Sequence, residues 1–346
     1  MISRIGLLCF LILPLFCVSQ TLTGRIIDKA TQQPIETVAV YFDNTTIGTT
    51  TNEKGEFSIT YTDATQSTLV ISYLGYEKVF ILDYRSKKTL NIELVEAENT
   101  LDEVYLDYDD GLTRRQKLRL FRKEFLGSSK FGKSCKILNE DDLFLRYDKK
   151  NKTMSASSKA PVMVINKALQ YEVAFDIKDF EIKFRYVEPE TNIFNIHSIA
   201  YFGTSFYKDL KDAKKTKTLK NREAAYNGSV QHFMRALYNK NFEEEGYIFG
   251  KNKFKVNWND FFTIYDTDNL GYKTVVLKEK LDIFYNQDKG SVIETAVDQF
   301  QVDQYGNYLP VVAVYFGGVM GTQRIGDLLP SDYGLNEKET TKNPED

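Results

Sequence analysis

Thr37-Val38-Ala39-Val40-Tyr41-Phe42 is a run of β-branched and aromatic residues in which Val38 and Val40 point one way and Thr37, Ala39 and Tyr41 the other. That is the period-two pattern of a strand. Similar runs stand on either side of it, at 22–27, 56–61, 68–73, 76–82 and 89–94, and turn chemistry separates them. Asn52-Glu53-Lys54-Gly55 and Leu74-Gly75 place glycine where a tight reversal needs a positive φ. Short strands at this spacing predict an antiparallel β-sandwich.

Outward from the sandwich, length and composition set the frame. A chain of 346 residues exceeds what one core usually holds, about 250–300 residues, so a second domain is expected. Hydrophobic residues at 42 % and charged ones at 27 % fit a soluble globular chain, and aromatics at 14 % favour strands. With 45 Lys plus Arg against 48 Asp plus Glu, nothing draws the chain to nucleic acid.

The first nineteen residues carry Arg4, an apolar run over 5–18 and small Ser19. These are the three parts of a secretory signal, with cleavage expected after Ser19. The apolar run is shorter than the roughly 20 residues that span a bilayer, and no later run is longer. The mature chain is therefore expected in the periplasm, at the outer membrane or in the medium, without a transmembrane segment. Phe16 is bulky where lipid attachment at Cys17 needs a small residue, which argues against a lipoprotein. Cys9 and Cys17 leave with the signal, so Cys135 stands alone and reads as a small buried hydrophobe.

Gly24-Arg25-Ile26-Ile27-Asp28 with Thr31 and Pro34-Ile35 resembles the opening signature of carboxypeptidase regulatory-like domains. Gly48-Thr49-Thr50-Thr51-Asn52 with Gly55 and Phe57 is similar to the family's second turn and strand, and Ile71-Ser72-Tyr73-Leu74-Gly75-Tyr76 to its strand and bend. The resemblance implies a seven-stranded, Greek-key, transthyretin-like sandwich and no activity, because the module is an accessory. Thr100-Leu101-Asp102-Glu103-Val104-Tyr105-Leu106 resembles the segment that follows this module in TonB-dependent receptors, but no strand series for a barrel follows. It reads as a linker pairing as one extra strand.

Thr113-Arg114-Arg115-Gln116 fits a capping box, so a helix is expected there, with Leu118, Phe121 and Phe125 as its apolar stripe and Gly127 as its end. Strand texture returns at 142–147, 161–165, 171–175, 180–186 and 196–202, with a hairpin expected to turn at Lys178-Asp179. Residues 208–222 hold seven basic and two acidic residues and read as a solvated loop. Val230, Phe233, Met234 and Leu237 mark a helix. Strands are expected at 261–265, 273–277, 281–285, 292–300 and 308–315, with a turn at Asp303-Gln304-Tyr305-Gly306-Asn307. Phe202-Gly203-Thr204, Asn227-Gly228-Ser229 and the His232-Phe233-Met234-Arg235 helix resemble a region that follows the sandwich in similar envelope proteins, and no activity comes with that likeness.

A zinc carboxypeptidase needs a His-x-x-Glu pair and a distant His, but His197 and His232 are the only histidines and neither opens the motif. Gly203-Thr204-Ser205 is half of a nucleophile elbow. Gly317-Gly318-Val319-Met320-Gly321 lacks the Lys and Ser/Thr of a phosphate loop and reads as a turn. The tyrosines and Trp258 read as core rather than as a sugar platform. Asn44, Asn151 and Asn227 begin sequons, which matter only in a eukaryotic secretory pathway.

The expected architecture is mainly β, a sandwich followed by a β-rich α+β domain with a few helices. Its segments are a signal at 1–19, the sandwich at 20–96, an acidic linker at 97–112, the second domain at 113–335 and a disordered tail at 336–346. No catalytic, cofactor-binding or metal-ligating residue is assigned. The expected partner is an envelope protein or glycan, with peripheral membrane association open. The competing reading is a carbohydrate-binding protein or hydrolase of nutrient uptake whose site lies within 140–335.

Overall fold

The computed structural model describes residues 20–62, 65, 67–97, 110–267 and 271–335. The leader, the linker from 98 to 109 with its 100–106 segment, and the tail from 336 lie outside the described residues. The chain is mainly β, with several sheets and few helices. It divides into two compact units: the first takes residues up to Tyr41 together with Ile47–Glu96, the second Phe42–Thr46 together with the chain from Ala97.

The first unit is built from β1 (Gln20–Asp28), β2 (Ala39–Phe42), β3 (Gly48–Thr50), β4 (Glu56–Tyr61), β5 (Leu69–Ser72), β6 (Val79–Ile81) and β7 (Thr89–Leu94). They form two sheets, β4-β1-β7 and β3-β2-β5-β6. Alternate residues of β1, β4 and β7 are buried and the rest exposed, so each strand presents one apolar face to the core. In β2, Val40, Tyr41 and Phe42 are all buried, so both faces of this strand are covered. The sandwich is not antiparallel throughout, since β1 and β7 pair in parallel, Thr23 with Thr89 through Asp28 with Leu94. Alternation of side chains is the same in both pairings, which is why the sequence does not distinguish them.

The residues that carry the family resemblance each have a structural task. A Cβ on Gly24 would lie 2.5 Å from the Phe57 ring and 2.6 Å from the Leu90 carbonyl, so only glycine fits where β1 passes β7. Gly55 has φ +72° and accepts no side chain, because a Cβ would meet the Ile26 carbonyl at 2.3 Å. Asp28 accepts hydrogen bonds from Thr31 N at 2.6 Å, from Thr31 Oγ1 at 2.9 Å and from the Tyr76 hydroxyl at 2.8 Å. The Thr31 amide and the Tyr76 hydroxyl hold its carboxyl below the usual range. One carboxylate thus ties the first turn to the bend at Gly75.

In the second unit α1 (Arg114–Leu126) starts at a full capping box between Thr113 and Gln116 and ends at Gly127, φ +93°. Its buried face is Leu120, Phe121, Glu124, Phe125 and Leu126, with Lys117 buried against Asp110 at 2.7 Å; Leu118 lies at the edge of this face. The expected stripe holds at Phe121 and Phe125, and Leu120 rather than Leu118 completes its buried centre. The helix packs Phe121 and Phe125 onto Phe175 and Phe180, with ring centroids 4.9–6.4 Å apart.

Those two partners belong to a six-stranded sheet made of β8 (Cys135–Ile137), β9 (Leu143–Asp148), β10 (Thr153–Ser158), β11 (Val162–Asn166), β12 (Tyr171–Glu188) and β13 (Ile193–Asp209). The expected hairpin at Lys178-Asp179 does not occur. β12 runs unbroken for 18 residues, and the register against β13 shifts between Ile177 and Asp179. A bulge absorbs the change of face that reads as a turn in the sequence.

The expected loop over 208–222 is also corrected: β13 extends to Asp209, and α2 (Thr216–Tyr226) follows. Little apolar face holds α2. Its anchor is Arg222, which donates to Leu169 O at 2.8 Å, to Gln170 O at 3.1 Å and to Asp209 Oδ1 at 2.7 Å, with its guanidinium 3.7 Å over the Tyr171 ring.

Next come α3 (Val230–Asn239), β14 (Tyr247–Lys251), β15 (Phe254–Val256), β16 (Phe262–Asp266), β17 (Tyr272–Leu277), β18 (Leu281–Tyr285), β19 (Lys289–Thr295), β20 (Phe300–Asp303), β21 (Tyr308–Leu309), β22 (Val314–Gly317) and α4 (Gly318–Gly321). The strands form the sheets β15-β14-β18-β19-β22 and β16-β17-β20-β21. Phe233, Met234, Ala236 and Leu237 of α3 fill a second core between them.

The single strands expected at 292–300 and 308–315 are each two strands. The first breaks after Thr295, and a 3₁₀ turn at Val311–Ala313 divides the second. Residues 318–321, read as a turn, close into one helical turn. The turn at 303–307 forms as expected, with Asp303 accepting from Tyr305 N and Asn307 N at 2.9 Å each and Gly306 at φ +86°.

Candidate functional site

The second unit contains a cavity of about 610 Å³ where four connecting segments converge. They are the end of α1 with the loop after it, the α2–α3 junction, the first residue of β19, and the stretch after α4. Its size is that of a small-molecule site.

Local chemistry fixes the walls. At Gly127 a Cβ would stand 3.1 Å from both Arg324 Cβ and Asp327 Oδ2, so the positive φ that ends α1 also lets the following loop approach residues 324–327. Ser129 Oγ donates to Asp327 Oδ1 and accepts from Phe131 N and Gly132 N at 3.0 Å. Asp327 Oδ2 accepts from Arg324 N at 3.1 Å. Burial raises the Asp327 carboxyl above its usual range, against the lowering effect of Ser129.

The charges on the wall are unequal. Glu124 pairs with Lys123 at 3.1 Å and Asp327 is held by Ser129 and the Arg324 amide, so both carboxylates are engaged. Lys289 Nζ donates to Asn227 O at 2.7 Å and sits 5.5 Å from the Tyr285 ring centroid. Lys130 Nζ lies 4.7 Å from the centroid of Phe131. Neither lysine forms an ion pair among the described residues. Burial, and then the ammonium of Lys130, lower the pKa of Lys289. Arg324 donates through Nη1 to Gly321 O at 3.0 Å and Gln323 O at 2.8 Å, and its buried Nε has no partner among the described residues.

His232 stands behind this wall. Ser229 caps α3 by accepting from His232 N at 3.1 Å, and Gly228 N donates to His232 Nδ1 at 3.1 Å. That acceptor role leaves the proton on Nε2, which donates to Glu245 Oε2 at 2.9 Å. The ring is packed among Tyr226, Tyr247 and Tyr285 at 4.7–5.4 Å. Burial lowers its pKa, against Glu245, which raises it; Arg235 and Lys289 add to the lowering.

The folded-state value lies below the unfolded one of about 6.5, so the unfolded chain binds more protons as the pH drops and stability present above that pH is lost on acidification. Asp43, Asp303, Asp327 and Asp332, all raised by burial, act in the opposite sense. They cancel when wild type is compared with His232→Asn, whose amide oxygen keeps the acceptor for Gly228. Urea midpoints followed from about pH 7.5 to 5 should fall more steeply for wild type than for the variant, whereas parallel curves would remove His232 from the acid response.

Of the stretches the sequence marks, Gly127, Asn227-Gly228 and Val319 border the cavity, and the candidate catalytic residues fall elsewhere. His197 is exposed on β13, while His232 is buried in α3. Among the described residues no group of three His, Cys, Asp or Glu side chains is placed to hold a metal. Ser205 lies within β13, not on an elbow, and Gly203 is there because a Cβ would meet the Asp176 carbonyl at 2.1 Å. Trp258 packs edge-on against Phe242 at 5.3 Å on the second core. Cys135 is half-buried against the first core, its thiol pushed up to about 12 by burial and then by Asp327. The cavity's own cations, Lys123, Lys130, Lys289 and Arg324, match no motif, because the first two and the last two lie in distant parts of the chain.

No curated protein matches the chain. Among solved structures it aligns with the 2.20 Å crystal structure of a protein of unknown function, proposed to be membrane-associated, from Bacteroides fragilis NCTC 9343. That alignment covers 86 % of this chain and 93 % of the other, at 12 % identity and a TM-score of 0.19. The model of the CarboxypepD_reg-like domain matches residues 22–106, the stretch whose Gly24, Asp28, Gly55, Phe57 and Tyr76 build the sandwich, and the chain thus carries a carboxypeptidase regulatory-like domain.

Proposed function

We propose that this is an exported envelope protein without catalysis of its own, in which the regulatory-like sandwich supports a second domain, residues 113–335, that docks a partner protein. The observation that carries the reading is an apolar stretch on the second unit. Leu309 is 52 % exposed, Val311 55 %, Val312 79 % and Tyr315 54 %. Four large apolar side chains left in water within seven residues cost solvation that a partner's apolar face would recover. The leader at 1–19 supports export, and its residues are those of a signal rather than of a span.

The glycan or hydrolase reading draws less support. The cavity's two carboxylates are engaged by Lys123 and Ser129, and its single aromatic ring, Phe131, is buried. A sugar site would place free carboxylates and exposed rings there.

Affinity capture separates the readings. Wild type should retain a reproducible partner from an envelope extract, and the double variant Val311→Asp with Val312→Asp should lose it. Both positions are solvent-exposed, so the variant's stability should stay within about 0.5 kcal/mol of wild type. Equal capture by both proteins would refute the patch.

A further inference from the structure

We propose that the cavity bounded by Lys130, Lys289 and Arg324 binds a small molecule through a tetrahedral oxyanion, a phosphate or sulfate ester. This site is separate from the docking patch and stands or falls apart from it.

Three observations carry the inference. The first is uncompensated charge. Lys130 and Lys289 both line the cavity, and no carboxylate pairs with either among the described residues. Glu124 and Asp327, the cavity's carboxylates, already have partners. Two ammonium groups lining one half-open space give it a positive potential that attracts an anion.

The second is a surplus of donors. An ammonium has three N–H groups, and Lys289 uses one of them, on Asn227 O. Lys130 has no hydrogen-bond partner among the described residues, and the buried Nε of Arg324 has none either. That leaves about five N–H donors on the two ammonium groups that line this space, more than the roughly four lone-pair sites of a carboxylate accept. A phosphate or sulfate ester presents three terminal oxygens and fits the count.

The third is volume. A cavity of about 610 Å³ is far larger than one ion, so the oxyanion is a group on a larger molecule. A second cavity of about 600 Å³, on the first unit, is lined by Thr23, Thr49, Thr50, Ser58 and Thr89 with one cation, Arg25, and one carboxylate, Glu56, and shows no such surplus.

Calorimetric titration of the full chain tests the assignment, with glucose 6-phosphate, glucose 6-sulfate, glucuronate and glucose as probes. At least one ester should bind at submillimolar concentration, and the tighter of the two names the source. Glucuronate should bind about tenfold more weakly or worse, and glucose not at all. Lys130 is exposed, so Lys130→Gln should fold as wild type and weaken ester binding by about tenfold or more, with Lys289→Met doing the same. The proposal is overturned if neither ester binds up to about 10 mM, if glucuronate binds as well as the esters, or if Lys130→Gln binds like wild type.

Discussion

Phe125→Ala should destabilise the second unit by about 3–5 kcal/mol, the largest loss expected from any single truncation here. Phe125 is fully buried and its ring lies 4.9 Å from Phe121, 5.2 Å from Phe175, 6.4 Å from Phe180 and 5.8 Å from Tyr201. Removing it takes away both its transfer free energy and the edge-to-face contacts that join α1 to β12 and β13, and the rigid sheet behind it cannot collapse into the space. At about 2–4 °C per kcal/mol for a unit of this size, its melting transition should fall by roughly 6–20 °C. Phe125→Leu, which refills most of the volume, should recover more than half of that loss. A melting point within a degree or two of wild type for Phe125→Ala would mean that α1 does not hold this core.

Arg235→Met should cost about 3 kcal/mol or more, for a different reason. Arg235 is a buried guanidinium that donates to Tyr305 O, Tyr333 O and Ser331 O at 2.9 Å each and to the Tyr226 hydroxyl at 3.3 Å. Methionine keeps most of the apolar stem but removes four hydrogen bonds made by a charged donor, each worth about 1.5–3 kcal/mol. The lost bonds tie α3 to the turn after β20 and to residues 331–333. Hydrogen exchange should therefore rise first at the amides of 303–307 and 331–335, before the strands exchange. Uniform exchange across the unit, or none, would mean that Arg235 is not the tie between these segments.

These two residues also show how far the sequence was legible. The period-two runs of β1, β4 and β7 and the capping box at Thr113 rest on local rules, and the structure follows them. The short polar strand Gly48–Thr50 has no apolar pattern and is set by its neighbour across the sheet, while Thr153–Ser158 signals its face only through Met154 and Ala156. The bulge in β12 imitates a turn because it also interrupts alternation at Lys178. α2 was hidden for the opposite reason, since a helix held by one arginine has no apolar stripe to detect. Arg235 reads as a surface cation on α3 until the carbonyls that meet it are placed by chain segments about 70 to 100 residues away.

The cavity was the least legible feature. Lys130 and Lys289 stand far apart in the chain, both in segments that read as connections between elements, and only the fold brings them to one cavity. Histidines and glycine turns are legible in a sequence because they carry motifs. A site made of separated lysines carries none.

Partner and ligand both presuppose that the chain works outside the cytoplasm and meets another protein there. Affinity capture run side by side on the cytoplasmic and envelope fractions of the source cells tests that claim most directly, with the captured chain's first residue read by mass spectrometry. The account predicts a chain beginning at Gln20, recovered with a reproducible partner from the envelope or medium. An uncleaved chain in the cytoplasm, or an envelope chain that returns no partner, would contradict it.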